Sequence, residues 1–242
     1  MNDTRAVDRD WRRAKELLRH VYWIGGSAAA GKSTISRRLT EEFGFTLFSG
    51  DGRWIRHWQT ATEETNPIAH RIGLTLQRGD PFDWLYDRDG QQIADDYIRM
   101  AHVEFQESVD ELLRMPRETP IVVDAFLGFP QLVMKVAQPK NAVFLVCTDD
   151  FMKKKWASRT TAGSPDLLPI LKRQLDSCAD PQAALQNFID SNIIESRFVA
   201  DDCRKSGAAL IVTGGRIGVD EAYDAVKRHF GLGLRSTYRT AP

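Results

Sequence analysis

The chain is poor in cysteine, has no excess of charge of either sign and contains no long apolar run. Each shortage argues against a class of protein. Cys147, Cys178 and Cys203 are the 3 thiols among 242 residues. They are odd in number, widely spaced and without a C-x-x-C pair, which argues against a disulfide framework and a zinc site and fits a reducing cytoplasm. Lys plus Arg and Asp plus Glu number 33 each, so no overall field favours nucleic acid or an anionic membrane, and any basic surface must be local. No stretch approaches the roughly 18 apolar residues of a membrane span, and the charge-dense segment 1–20 lacks the apolar core of a signal peptide. Internal repeats and low-complexity segments are missing too, and the tail 234–242 is expected to fray. The expectation is a cytoplasmic protein, monomer or homodimer, that engages a small molecule.

What is present is an alternation of short apolar runs with helical patterns, the pattern of a parallel sheet covered by helices. Strands are expected at Val21–Ile24, Thr46–Phe48, Ile121–Val123, Ala142–Val146 and Ala208–Val212. Helical patterns cover Ser33–Phe43, Ile93–Arg114, Leu185–Lys205 and Asp220–Phe230. In the third of these, Leu185, Phe188, Ile189 and Ile193 recur at helical spacing and mark a core face. The length suits a single α/β domain with insertions. Gly52–Gly90 has no clear period and carries Trp54, Trp58, Phe82, Trp84 and Tyr86 among charges. Residues 52–115 are therefore expected to form an insertion over the site.

Directly behind the first apolar run stands Gly26-Ser27-Ala28-Ala29-Ala30-Gly31-Lys32-Ser33, a complete G-x-x-x-x-G-K-[ST] phosphate-binding pattern. Its small side chains let backbone N–H groups converge on phosphate oxygens, and its glycines can take dihedrals that a Cβ forbids. The helix that follows points its positive end at the same place. Lys32 should reach the β- and γ-phosphates and the Ser33 hydroxyl should ligate Mg²⁺. With the adjoining Thr34, these residues form the candidate site for ATP or GTP.

In open α/β sheets ligands bind beyond the carboxyl ends of the strands. Asp51, after the second strand, could orient an attacking hydroxyl and take its proton; the alternative is a turn aspartate bonded to its own backbone. Arg53, Arg56 and His57 follow closely and could hold an acidic or hydroxyl-rich acceptor. Asp124, at the end of the third strand, could hold Mg²⁺ through water or cap the next helix. After the fourth strand Lys155 and Arg159 share a helix face at i, i+4, where cations could neutralise a transferring phosphoryl group as part of a lid over 149–180. Lys153 and Lys154 belong to a solvated face. The turn Thr213-Gly214-Gly215-Arg216, after the fifth strand, could flank the nucleotide base, with Arg216 as a contact, or be a plain connection.

Together these residues resemble the P-loop kinases of the nucleoside-monophosphate-kinase-like group, which includes shikimate kinase, gluconate kinase, uridine kinase and chloramphenicol phosphotransferase. The resemblance covers most of the chain. It implies a P-loop NTPase fold with a helical acceptor-binding insertion and a lid, Asp51 as acceptor base or ligand, and Lys155 and Arg159 as lid cations. Asp124-Ala125-Phe126-Leu127-Gly128-Phe129-Pro130 matches the Asp-Gly-Phe-Pro-Arg motif of adenylate kinase only in part. No arginine follows Pro130, which argues against a nucleoside monophosphate acceptor. The implied activity is an ATP- and Mg²⁺-dependent transfer of the γ-phosphate to a hydroxyl of a metabolite or antibiotic. The alternative is a nucleotide-binding switch or ATPase module with no small acceptor. A guanine-reading Asn-Lys-x-Asp run is missing, and balanced charge does not support a kinase of nucleic-acid ends.

Overall fold

The computed structural model describes residues 10–125, 128–159 and 169–233, with Asp51 and Gly52 described by backbone alone. In chain order its elements are α1 (Trp11–Leu17), β1 (Val21–Gly26), α2 (Lys32–Phe43), β2 (Thr46–Ser49), α3 (Gly50–Thr60), α4 (Pro67–Arg78), α5 (Asp83–Tyr86) and α6 (Gly90–Arg114). There follow β3 (Ile121–Asp124), α7 (Pro130–Val133), β4 (Ala142–Cys147), α8 (Asp149–Arg159), α9 (Pro169–Asp176), α10 (Pro181–Ser206), β5 (Ala209–Thr213) and α11 (Val219–His229). The sequence-predicted strands and helices fall within a few residues of their observed counterparts.

The five strands form one all-parallel sheet in the order β2-β3-β1-β4-β5. Every residue of β3 and β4 is buried, as expected of strands covered by helices on both faces. The connection from β3 to β4 crosses β1, so chain order reverses beside the carboxyl end of β1. A crevice opens at such a switch point. Ile24 of β1 lies opposite Asp124 of β3, which in turn lies opposite Ser49 of β2. The ends of three strands therefore stand side by side at that crevice.

Residues 50–90 show no clear period in the sequence but are helical, the character that the resemblance implied for this insertion. They fold into α3, α4 and α5. The signals for α4 were local: Asn66 accepts the Ala69 N–H as N-cap, Pro67 opens the helix, and Gly79 closes it in the left-handed conformation. The long helix α10 is capped by Asp180, which accepts from the Gln182 and Ala183 N–H groups at 3.1 and 3.0 Å. It packs on α5 to α9 and on β4 and so stands at the centre of the helical layer that closes over the crevice.

Candidate functional site

The segment from Gly26 to Ser33 joins β1 to α2 at the crevice, and its backbone is fixed by close packing. Gly26 has φ 116°, and a Cβ there would stand 1.9 Å from the Leu145 carbonyl oxygen. Only glycine fits. Gly31, at φ 93°, enters α2 as a left-handed N-cap. Ala29, at φ 60°, is the one non-glycine residue of positive φ among the described residues, a conformation that costs an L-residue about 1–2 kcal/mol.

Neighbouring donors hold the loop carbonyls in that arrangement. The Ser27 carbonyl accepts Lys32 Nζ at 2.7 Å, the Ala28 carbonyl accepts the Cys147 thiol at 3.7 Å, and the Ala30 carbonyl accepts the Thr213 hydroxyl at 3.2 Å. With the carbonyls occupied by the protein, the backbone N–H groups of Ala28 through Thr34 have no acceptor among the described residues. Successive unanswered donors at the positive end of a helix form a cradle for an anion. Lys32 is buried beneath it, while Ser33 and Thr34 are exposed.

A cavity of about 840 Å³ opens from this cradle, large enough for a nucleotide and a further small molecule. Asp124 and Ser33 both line it. The capping role for Asp124 is not seen: the next described helix, α7, has Phe129 at its N-cap. Lys155 and Arg159 also line the cavity from α8, with the Arg159 guanidinium 5.0 Å from the Trp156 ring centroid. Lys153 and Lys154 are exposed and outside the lining. Segment 160–168 of the expected lid lies outside the described residues. The turn after β5 lines the cavity through Gly214, Gly215 and Gly218, with half-exposed Ile217 and Val219 beside them, but Arg216 points to solvent and is not part of the lining.

The Asp51 backbone lies in the first turn of α3 rather than in an open turn, and its side chain lies outside the described residues. Arg53, Arg56 and His57 do not converge on the cavity. Arg53 Nε is 2.5 Å from Glu111 Oε2 and Arg56 is 3.8 Å from the same oxygen. His57 Nδ1 bonds Glu104 and lies 3.1 Å from Glu107, and Nε2 lies 3.4 Å from Glu111. Burial opposes charge on His57, but the bond to Glu104 and the surrounding carboxylates outweigh it and raise its pKa. Burial likewise raises Glu104 and Glu107. Although His57, Glu104 and Glu107 bring ligand atoms within 4.8 Å of one another, three carboxylates there face His57, Arg53 and Arg56. The group ties α3 to α6. Arg53, Arg56 and His57, expected to hold an acidic or hydroxyl-rich acceptor, thus face carboxylates of α6 and stand outside the lining of this cavity.

The aromatic residues divide between two tasks. Phe82, Trp84 and Tyr86 pack the insertion: Trp84 Nε1 donates to Thr75 Oγ1 at 3.1 Å, and Tyr86 meets Phe188 edge-on at 5.9 Å. Trp54 and Trp58 instead line the cavity, joined by Tyr97, Trp156 and Phe188, none of which sequence reasoning assigned to a site. Gln174, Asn192 and Glu195 were missed as well. Gln174 Oε1 accepts the Tyr86 hydroxyl at 3.1 Å, while its Nε2 and the Trp58 Nε1 have no partner among the described residues. Phe188, Asn192 and Glu195 recur at i, i+4 and i+7 on α10. Two polar residues continuing an apolar stripe were the available signal.

Glu195 is the unusual member. Its side chain is buried in the cavity wall, and burial pushes its carboxyl up to about 8 against the pull of the Lys32 ammonium. No helix among the described residues is long and apolar enough to cross a membrane. No protein-family model matches the chain, and no curated protein matches it in sequence.

Proposed function

We propose that the chain is a phosphotransferase that moves the γ-phosphate of ATP or GTP to a hydroxyl of a small molecule. The observation that carries this reading is the row of unanswered N–H groups from Ala28 to Thr34, with Lys32 beneath it. Such a cradle answers the oxygens of a polyphosphate with fixed donors that need no rearrangement. Ser33 and Asp124 supply hard oxygen donors of the kind Mg²⁺ takes, and they share the cavity with the cradle. Bound there, Mg²⁺ would neutralise phosphate charge.

The chain's own residues account for the remaining tasks. Lys32 exchanges its Ser27 carbonyl for phosphate oxygens. Lys155 and Arg159 approach the transferring group from α8, and Ile217 and Val219 offer an apolar flank to the base. A small-molecule acceptor is favoured over a switch without one because the cavity continues past the cradle into a space walled by aromatic rings, which a nucleotide alone would not need. This reading places the chain with the P-loop kinases that its loop resembles. Asp51 is kept as a candidate acceptor ligand.

The test is binding of a fluorescent ATP analogue, then transfer of label from γ-labelled ATP to alcohols. Lys32→Ala should lower transfer by about 10²–10³, the usual loss of one charged or oriented donor at a transition state, and leave the urea midpoint near wild type. Full transfer by Lys32→Ala would remove the reading.

A further inference from the structure

Glu195 lies on α10, far in sequence from the loop, yet shares one cavity with Lys32, Ser33 and Asp124. Among the described side chains that line this cavity, Asp124 and Glu195 are the two carboxylates. Asp124 ends β3 opposite Ile24 of β1 and lines the cavity together with Ser33, the two proposed donors to Mg²⁺. Glu195 lines the same cavity from α10, within reach of the Lys32 charge, with Asn192 and Phe188 on the same helix face and Trp54, Trp58 and Tyr97 among the lining residues contributed by α3 and α6. It forms no ion pair among the described residues, although the Lys32 charge reaches it. A buried carboxyl held without a salt-bridge partner costs stability and calls for a use.

We propose that Glu195 is the general base of the transfer and that the aromatic wall beside it receives an alcohol carried on a ring. This rests on the kinase reading of the cavity. The acceptor O–H gives its proton to the Glu195 carboxylate while the acceptor oxygen bonds to the γ-phosphorus. The bond from that phosphorus to the β–γ bridging oxygen breaks, and the nucleoside diphosphate leaves with its electron pair. In an in-line transfer the base must reach the attacking hydroxyl, and Glu195 is a carboxylate that shares its cavity with both Lys32 and the aromatic rings.

The groups that act on Glu195 set how its activity depends on pH. Lys32 of α2 favours its charged form. Tyr97 of α6 and Tyr86 of α5 are neutral well beyond the working range and sense its charge. Lys155 and Arg159 of α8 and Asp124 of β3 share the cavity, whereas α7, α9, β4 and β5 bring no charged side chain to its described lining. Turnover should therefore climb as pH rises towards about 8, where the carboxyl loses its proton.

The experiment follows label from γ-labelled ATP with Mg²⁺ into inorganic phosphate, with water as acceptor, and into benzyl phosphate or ethyl phosphate, with equal benzyl alcohol or ethanol added. Wild type, Glu195→Gln, Glu195→Asp and Asp51→Asn are compared from pH 6 to 9.5, each with its affinity for the fluorescent ATP analogue. Glu195→Gln should bind the analogue within about twofold of wild type, lose about 10²–10⁴ of turnover, the range of a positioned base, and lose the acidic limb of the profile. Glu195→Asp should recover part of the rate and the limb, Asp51→Asn should keep the limb, and benzyl phosphate should exceed ethyl phosphate at least tenfold. Glu195→Gln turnover within threefold of wild type with the same limb overturns the proposal. So does loss of the limb in Asp51→Asn instead, or a wild type that binds the analogue and turns over none of the three acceptors. Equal benzyl and ethyl products overturn the ring-bearing acceptor. A wild type that binds no analogue marks a different failure, that of the kinase reading itself.

Discussion

At the scale of single residues the cavity sets two charged groups in opposite circumstances. Lys32 is buried but satisfied, its ammonium held on the Ser27 carbonyl until something better arrives. Glu195 is buried with a raised pKa, so its folded form holds a proton that the unfolded chain releases near the ordinary carboxylate range. The sign follows: its contribution to stability is complete below that range and is lost as pH rises through about 8. Urea denaturation of the nucleotide-free protein should show stability falling between pH 5 and 9. Glu195→Gln, which cannot ionise, should flatten that fall by a few kcal/mol. A variant more stable at pH 9 yet inactive would show a strained functional group rather than a structural one. An unchanged slope would show that Glu195 titrates as it does in the unfolded chain.

At the scale of elements, α8 and α10 approach the cradle from different directions with different chemistry. Lys155 and Arg159 sit one turn apart on α8 and reach the cavity together, whereas the neighbouring Lys153 and Lys154 face solvent. Cations that act on charge developing during transfer affect rate more than binding. Arg159→Ala should therefore lower turnover by about 10³, the lower end of what arginine fingers contribute, because Lys155 shares its helix face. Affinity for the fluorescent ATP analogue should change severalfold at most. If affinity and turnover fall together, Arg159 serves binding alone. The cluster that joins α3 to α6 sets the contrast: Arg53 and His57 carry the charges a substrate site needs, but α6 has placed Glu104, Glu107 and Glu111 against them.

At the scale of the whole molecule, the cavity is assembled from both halves of the chain, since α2, β3, α8, α10 and the turn after β5 all line it. A ligand that binds the folded state alone stabilises it by mass action, about 2.7 kcal/mol at one hundred times its Kd. Mg²⁺ with a non-hydrolysable ATP analogue should accordingly raise Tm by several degrees, since about 1 kcal/mol moves a domain of this size by 2–4 °C. Lys32→Ala should abolish most of that rise. An equal rise in wild type and variant would place the ligand somewhere other than the cradle.

What the sequence determined by itself was local. Alternating apolar runs marked the five strands, and fixed spacing marked the loop from Gly26 to Ser33, because strand burial and glycine dihedrals are properties of neighbouring residues. Asp124, Lys155 and Arg159 could be picked out because each follows a strand, and in a parallel sheet all strand ends come to one edge. The helices α3 to α5 escaped, although the Asn66 and Gly79 caps were in view. Only the tertiary structure decided the rest. It matched His57 and Arg53 with carboxylates three helices further along the chain, separated Trp54 and Trp58 from Phe82 and Tyr86, and turned an apolar-looking face of α10 so that Glu195 comes within reach of the Lys32 charge. Those outcomes depend on which helix faces pack together, and no spacing along one segment records its partner.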